Sequence, residues 1–120
     1  MISLVTISLS PIVAHALDEL ARKVRERFGD RVSEVVLFGS YARGAAHEDS
    51  DVDVLVVIDE LSPSEEVEVI DLATEVKRAI AESDGWVGLA PLVLSTERAA
   101  ELRRRGRRIW SDIATEGVRL

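Results

Sequence analysis

The run Asp51-Val52-Asp53-Val54-Leu55-Val56-Val57-Ile58 constrains this chain more than any other stretch. Its β-branched and aliphatic residues read as a buried strand, yet aspartate is among the poorest strand formers. Residues two apart on a strand point to one face, so Asp51 and Asp53 stand side by side and within reach of a shared cation. Two unpaired carboxylates beside each other in an apolar sheet would each cost on the order of several kcal/mol. A divalent cation removes that cost. Mg²⁺ is hard, prefers oxygen, and is commonly held by one or two carboxylates together with substrate phosphate oxygens. Taken alone, the pair also allows a plainer reading in which Asp51 caps the strand and Asp53 is solvated at a sheet edge.

The pair does not stand alone, because Gly39-Ser40 closes the preceding apolar run, Ser33 to Phe38. A glycine at that place lets the backbone approach a ligand closely, and the helix that follows offers free N–H groups to an anion. Ser40 would give its hydroxyl to a phosphate. Arg43, one turn on, would clasp that phosphate or brace the loop. A Gly-Ser turn by itself is ordinary turn chemistry; a phosphate cradle joined to a carboxylate pair on the next strand is far more specific.

The rest of the chain supplies the frame. Ser10-Pro11 is an N-cap and first-turn pair, and Val13, Leu17, Leu20, Val24 and Phe28 recur at helical spacing up to Gly29. After the strand 33–38, residues 40–46 have room for about two helical turns. The strand 51–58 follows, and Ser62-Pro63-Ser64-Glu65 has capping-box form for a long helix to about Ser83, with Val69, Leu72, Val76 and Ile80 as its inward stripe. Residues 86–95 give a third strand, which Gly88 and Pro91 push toward an edge or a bulge. Helices are expected over 96–105 and 107–116, broken at Gly106, with Gly117 as a C-cap. The alternation predicts an α/β fold, a small mixed sheet of about three strands flanked by helices in two or three layers, and residues 1–120 as one domain.

Composition narrows the function. A net charge of −7 and few aromatic residues argue against direct nucleic-acid binding. With no cysteine, disulfides and thiolate metal sites are excluded. The apolar start, residues 1–17, lacks a basic n-region and carries Ser, Thr, Pro and His, so it is a poor signal peptide and too short to span a membrane; a cytoplasmic location is expected. No Lys or Arg occurs from Gly44 to Val76, whereas Arg103, Arg104, Arg105, Arg107 and Arg108 crowd together. Each charge run reads either as a solvated face or as a partner surface.

With Gly39-Ser40, ten residues Tyr41 to Ser50, and then Asp51-Val52-Asp53, the sequence resembles the polymerase-β-type nucleotidyltransferase superfamily. The fuller "FGSYARG" and "SDVDVLV" look like the minimal nucleotidyltransferases, and the similarity runs from about Val32 to Ser95. The resemblance implies ATP bound with Mg²⁺, Asp51 and Asp53 as catalytic metal ligands, Gly39, Ser40 and Arg43 at the nucleotide, and transfer of AMP onto an acceptor with release of pyrophosphate. It also implies a protein partner, since relatives of this kind are encoded beside a HEPN ribonuclease-like toxin, serve as its antitoxin and adenylylate a tyrosine on it; a hetero-oligomer is then expected. The sequence departs from the superfamily in one respect. A third carboxylate belongs on the later strand, and "WVGLAPLVL" has none; Asp49 falls in the polar loop and Asp59 at the far end of the second strand. Two alternatives stay open: transfer onto a small molecule such as an aminoglycoside, and a partner-binding antitoxin with a vestigial nucleotide site.

His47 reads as a solvated loop histidine and His15 as lying on the flank of the first helix. Tyr41 reads as packing into the domain more than stacking on a base, and Trp110 as core or interface.

Overall fold

The computed structural model describes residues 2–3, 9–47, 49–83 and 85–120, with side chains from residue 9 onward; most of the apolar start therefore lies outside the described residues. Helix α1 (Pro11–Phe28) begins where Ser10 Oγ accepts the Val13 amide and ends at Gly29. A 3₁₀ turn (Gly29–Arg31) leads into β2 (Val32–Phe38), following a two-residue strand β1 (Ile2–Ser3). Then come α2 (Ser40–Arg43), β3 (Asp51–Ile58), α3 (Pro63–Glu82), β4 (Gly88–Ser95), α4 (Thr96–Arg104), α5 (Arg108–Glu116) and a second short strand, β5 (Val118–Arg119).

The three long strands expected from the sequence form the body of the sheet, and the two-residue strands extend it, in the order β1-β5-β2-β3-β4. β2 pairs antiparallel with β3 and β5; β3 runs parallel to β4 and β1 to β5. β4 is an edge, where Pro91 sits without breaking an interior ladder. Helix α2 is one turn rather than two, because Gly44 takes the left-handed conformation (φ 71°) and ends it at once.

The layering is α–β–α. Even-numbered residues of β3, Val52 to Ile58, join Leu17, Leu20 and Val24 of α1 and Val69, Val76 and Ile80 of α3 in one core. Leu55 and Val57 point the other way, against Val36, Ala99, Trp110 and Ile113. Burying each such aliphatic side chain contributes about 1.5–3 kcal/mol, and a one-residue slip of β3 would forfeit both faces at once. Gly117 adjoins the second core, where a Cβ would run into the Ile113 carbonyl and stand 2.8 Å from Val36 Cγ1.

One polar junction ties the layers at the end of the sheet away from Asp51. Glu65 completes the capping box of α3 with Ser62 and receives a bidentate bond from Arg31, at 2.8 Å to each oxygen. Arg31 also donates to the carbonyls of Asp59 and Glu60 in the turn after β3. The Arg31 hydrogen bond, helped by the Ser62 amide, lowers the Glu65 carboxyl from 4.5 to about 2. A lowered carboxylate stabilises the fold above the unfolded value and loses that contribution as pH falls through the folded one. The wild-type melting temperature should therefore drop between pH 4.5 and about 2 more steeply than that of Glu65→Gln. Parallel melting curves over that range would contradict the assignment.

Candidate nucleotide and metal site

The site forms where β2 ends and β3 begins. Phe38 lies opposite Asp53 in the antiparallel ladder, so the chain leaves β2 directly across from that carboxylate. Gly39 then adopts φ 77° and ψ −154°, a conformation essentially reserved for glycine. A Cβ on Gly39 would overlap the Asp53 carboxylate. The glycine is thus required twice, by its backbone and by the space.

Asp51 and Asp53 share the sheet face of Leu55 and Val57, at the end that α4 and α5 leave open. Neither carboxylate has a hydrogen-bond or ion-pair partner among the described residues. Asp51 is exposed and Asp53 half-buried. Burial, and then the charge of Asp51, raise the Asp53 carboxyl above its ordinary value, while the Arg43 guanidinium pulls it partly back. Two unpartnered oxygen donors on one face, one of them held against its own ionisation, suit a hard divalent cation. No cluster of three His, Asp or Glu side chains that could hold a metal exists among the described residues.

The sequence-expected nucleotide residues come together here. Ser40 opens α2, half-buried, with no protein partner for its hydroxyl among the described residues. Arg43 reaches Glu116 at the end of α5, at 3.8 Å, and its charge also acts on Asp53. Among the described residues β4 brings no third carboxylate to the pair: Gly88 and Ala90 stand opposite Asp51 and Asp53 in the parallel ladder. Asp59, at the far end of β3, is occupied with the Thr96 hydroxyl. Asp49 is exposed in the loop, its amide donating to His47 Nδ1.

His47 shapes that loop, its amide donating to Ser50 Oγ at 2.9 Å. Tyr41 packs half-buried against the larger core, and Trp110 is in the smaller one. The arginine cluster is divided: Arg103 forks onto Glu34 and stacks on Trp110, and Arg105 bonds Glu101. Sequence reasoning passed over Trp86. Its ring lies against Gly88, beside Asp51, and it is 58% exposed. The signal was the alternation Trp86-Gly88-Ala90, which puts a large ring next to two small residues on one face.

A family model described as "Nucleotidyltransferase domain" matches residues 17–91, which contain Gly39, Ser40, Arg43, Asp51 and Asp53. The chain belongs to the nucleotidyltransferase domain family. Over 40 residues this nucleotidyltransferase domain is 58% identical to protein adenylyltransferase MntA of Thermococcus cleftensis, covering 33% of the chain and 38% of the relative. Over 41 residues it is 56% identical to a candidate protein adenylyltransferase of Methanocaldococcus jannaschii, covering 34% and 28%. These matches span well under half of each relative. Among solved structures, a toxin–antitoxin structure with AMP-PNP superposes with a TM-score of 0.51 at 21% identity, over 83% of this chain and 68% of that one, and so shares the fold.

Because Asp53 holds its proton more tightly folded than unfolded, its ionisation at neutral pH costs stability. Asp53→Asn should raise the metal-free melting temperature at pH 7, with the gain vanishing below pH 3.8, where the group is protonated even in the unfolded chain. A lower melting temperature at pH 7 would mean that the carboxylate is structurally required.

Proposed function

We propose that this chain transfers AMP from ATP, in the presence of Mg²⁺, onto a hydroxyl of a protein partner, and that the partner is a HEPN ribonuclease toxin for which the chain is the antitoxin. The observation that carries this reading is the Asp51–Asp53 pair, without partners among the described residues, with Asp53 set against the Gly39 turn. The naming of relatives as protein adenylyltransferases supports the AMP-transfer part, and a toxin–antitoxin structure of the same fold with AMP-PNP supports the partner. In this proposal residues 1–120 work as one domain in the cytoplasm and form a hetero-oligomer with the toxin. No described helix is long and apolar enough to cross a membrane.

The roles follow from position. Gly39 and Ser40 hold the β- and γ-phosphates by backbone N–H groups and the Ser40 hydroxyl, and Arg43 exchanges Glu116 for phosphate. Asp51 and Asp53 would hold Mg²⁺, which would supply charge neutralisation at the α-phosphate. The partner's hydroxyl oxygen attacks the α-phosphorus, the bond to the bridging oxygen breaks, pyrophosphate leaves, and the hydroxyl proton passes to water. With Gly88 and Ala90 where a third carboxylate would stand, this chain contributes no base from β4. Catalysis then rests on alignment and electrostatics.

That same absence favours one competing reading, inhibition of the toxin by contact alone. Incubating the toxin with wild-type protein, ATP and Mg²⁺ should add one or more adenylyl masses to it and leave it inactive after the two are separated. Asp51→Asn/Asp53→Asn should abolish the added mass. An unmodified toxin that recovers its activity on separation would replace transfer with contact inhibition.

A further inference from the structure

We propose that Trp86 is the platform on which the nucleobase of the bound nucleotide stacks. The inference rests on the nucleotide reading above and adds the part of the site that reads the base. The chain has two Trp, one Tyr and two Phe. Phe28 and Trp110 are buried, and Tyr41 and Phe38 pack against the two cores. Trp86 is the aromatic left with its ring in solvent, 58% exposed, and burial in the core gives no reason for it.

Its position supplies the reason. Gly88 stands opposite Asp51, and the point where a Gly88 Cβ would lie is 3.0 Å from both Asp51 Oδ1 and Trp86 Cη2, with Trp86 Cζ2 at 3.3 Å. The indole edge and the carboxylate are neighbours across a residue that has no side chain to separate them. Ala90, next on the same face, keeps the floor beside Asp53 low. The candidate phosphate cradle follows β2, the carboxylates are on β3 and the ring precedes β4, so cradle and ring lie about two strand spacings, or ~10 Å, apart. A nucleotide whose phosphates sit at Gly39-Ser40 and whose α-phosphate lies over Asp51 and Asp53 can lay its ribose over Gly88 and Ala90 and reach the ring with its base. Every base has a π-face, so stacking supplies affinity with little selectivity among bases. A purine, with its larger face, is the ligand class that covers the indole best.

Titrating Mg²⁺-ATP and Mg²⁺-tripolyphosphate separates base from phosphate. Trp86→Ala should weaken ATP binding about tenfold, the size of one stacked base, and leave tripolyphosphate binding unchanged. Trp86→Phe, which keeps a ring, should recover most of the loss. ATP should quench part of the tryptophan emission of the wild type and none of that of Trp86→Phe, whose remaining indole is the buried Trp110. Equal loss of tripolyphosphate binding would show that the ring merely shapes the Asp51 carboxylate. Unchanged ATP affinity in Trp86→Ala would move the base elsewhere; either result overturns the proposal. A wild-type protein that binds neither ligand would overturn the nucleotide reading itself, and the platform with it.

Discussion

The pairing of β2 with β3 governs this molecule. Its register sets Phe38 opposite Asp53, which brings Gly39 over the carboxylate and fixes which face carries Asp51 and Asp53. The same register sends Val52, Val54, Val56 and Ile58 into one core and Leu55 and Val57 into the other. Because both faces are buried, sliding β3 by one residue would put aliphatic side chains in the site and carboxylates against α1 and α3. Core packing and site geometry are therefore one constraint. The parallel ladder with β4 extends it, placing Gly88 and Ala90 beside the two aspartates.

The site is held together by what surrounds it and not by its own contacts. Asp51 and Asp53 lack partners among the described residues, and Asp53 is driven toward its neutral form by burial and by its neighbour. Elsewhere several acids are paired with bases: Glu65 with Arg31, Glu68 with Arg27, Glu34 with Arg103. Most of these pairs are at least partly exposed and individually worth little. They matter by contrast, since β3 begins with two acids that have no partner among the described residues, beside a glycine whose missing Cβ leaves room for the Asp53 carboxylate. Local destabilisation of this kind is tolerated where function requires it and is offset by the packed layers on either side.

Much of this was legible in the sequence because the signals were local. The Ser10-Pro11 start of α1, the Ser62–Glu65 capping box, and β3 from Asp51 to Ile58 match expectation closely, each being fixed by side chains adjacent in the chain. Gly88 and Pro91 left β4 as an edge strand or a bulged one, and it is the edge. The spacing from Gly39 to Asp53 carried the family resemblance, and the family match covers the same residues. Less legible were features set by distant partners. Arg43 reads in the sequence as clasping a phosphate or bracing the loop, and its contact with Glu116 depends on where α5 ends. The arginine cluster resolved only when Arg103 met Glu34 and Trp110. β5 is two residues long, too short to have a period, and Trp86 acquires meaning only when the ladder brings Gly88 beside Asp51.

The most direct test of the central claim is where a divalent cation sits. With Mn²⁺ and a non-hydrolysable ATP analogue, paramagnetic broadening of backbone amide resonances should centre on residues 39–40, 51–53 and 88–90, and should disappear in Asp51→Asn/Asp53→Asn. The surface offers a built-in rival in the acids along α3, Glu66, Glu68, Asp71 and Glu75. Broadening centred on that helix and unchanged in the double variant would contradict the account.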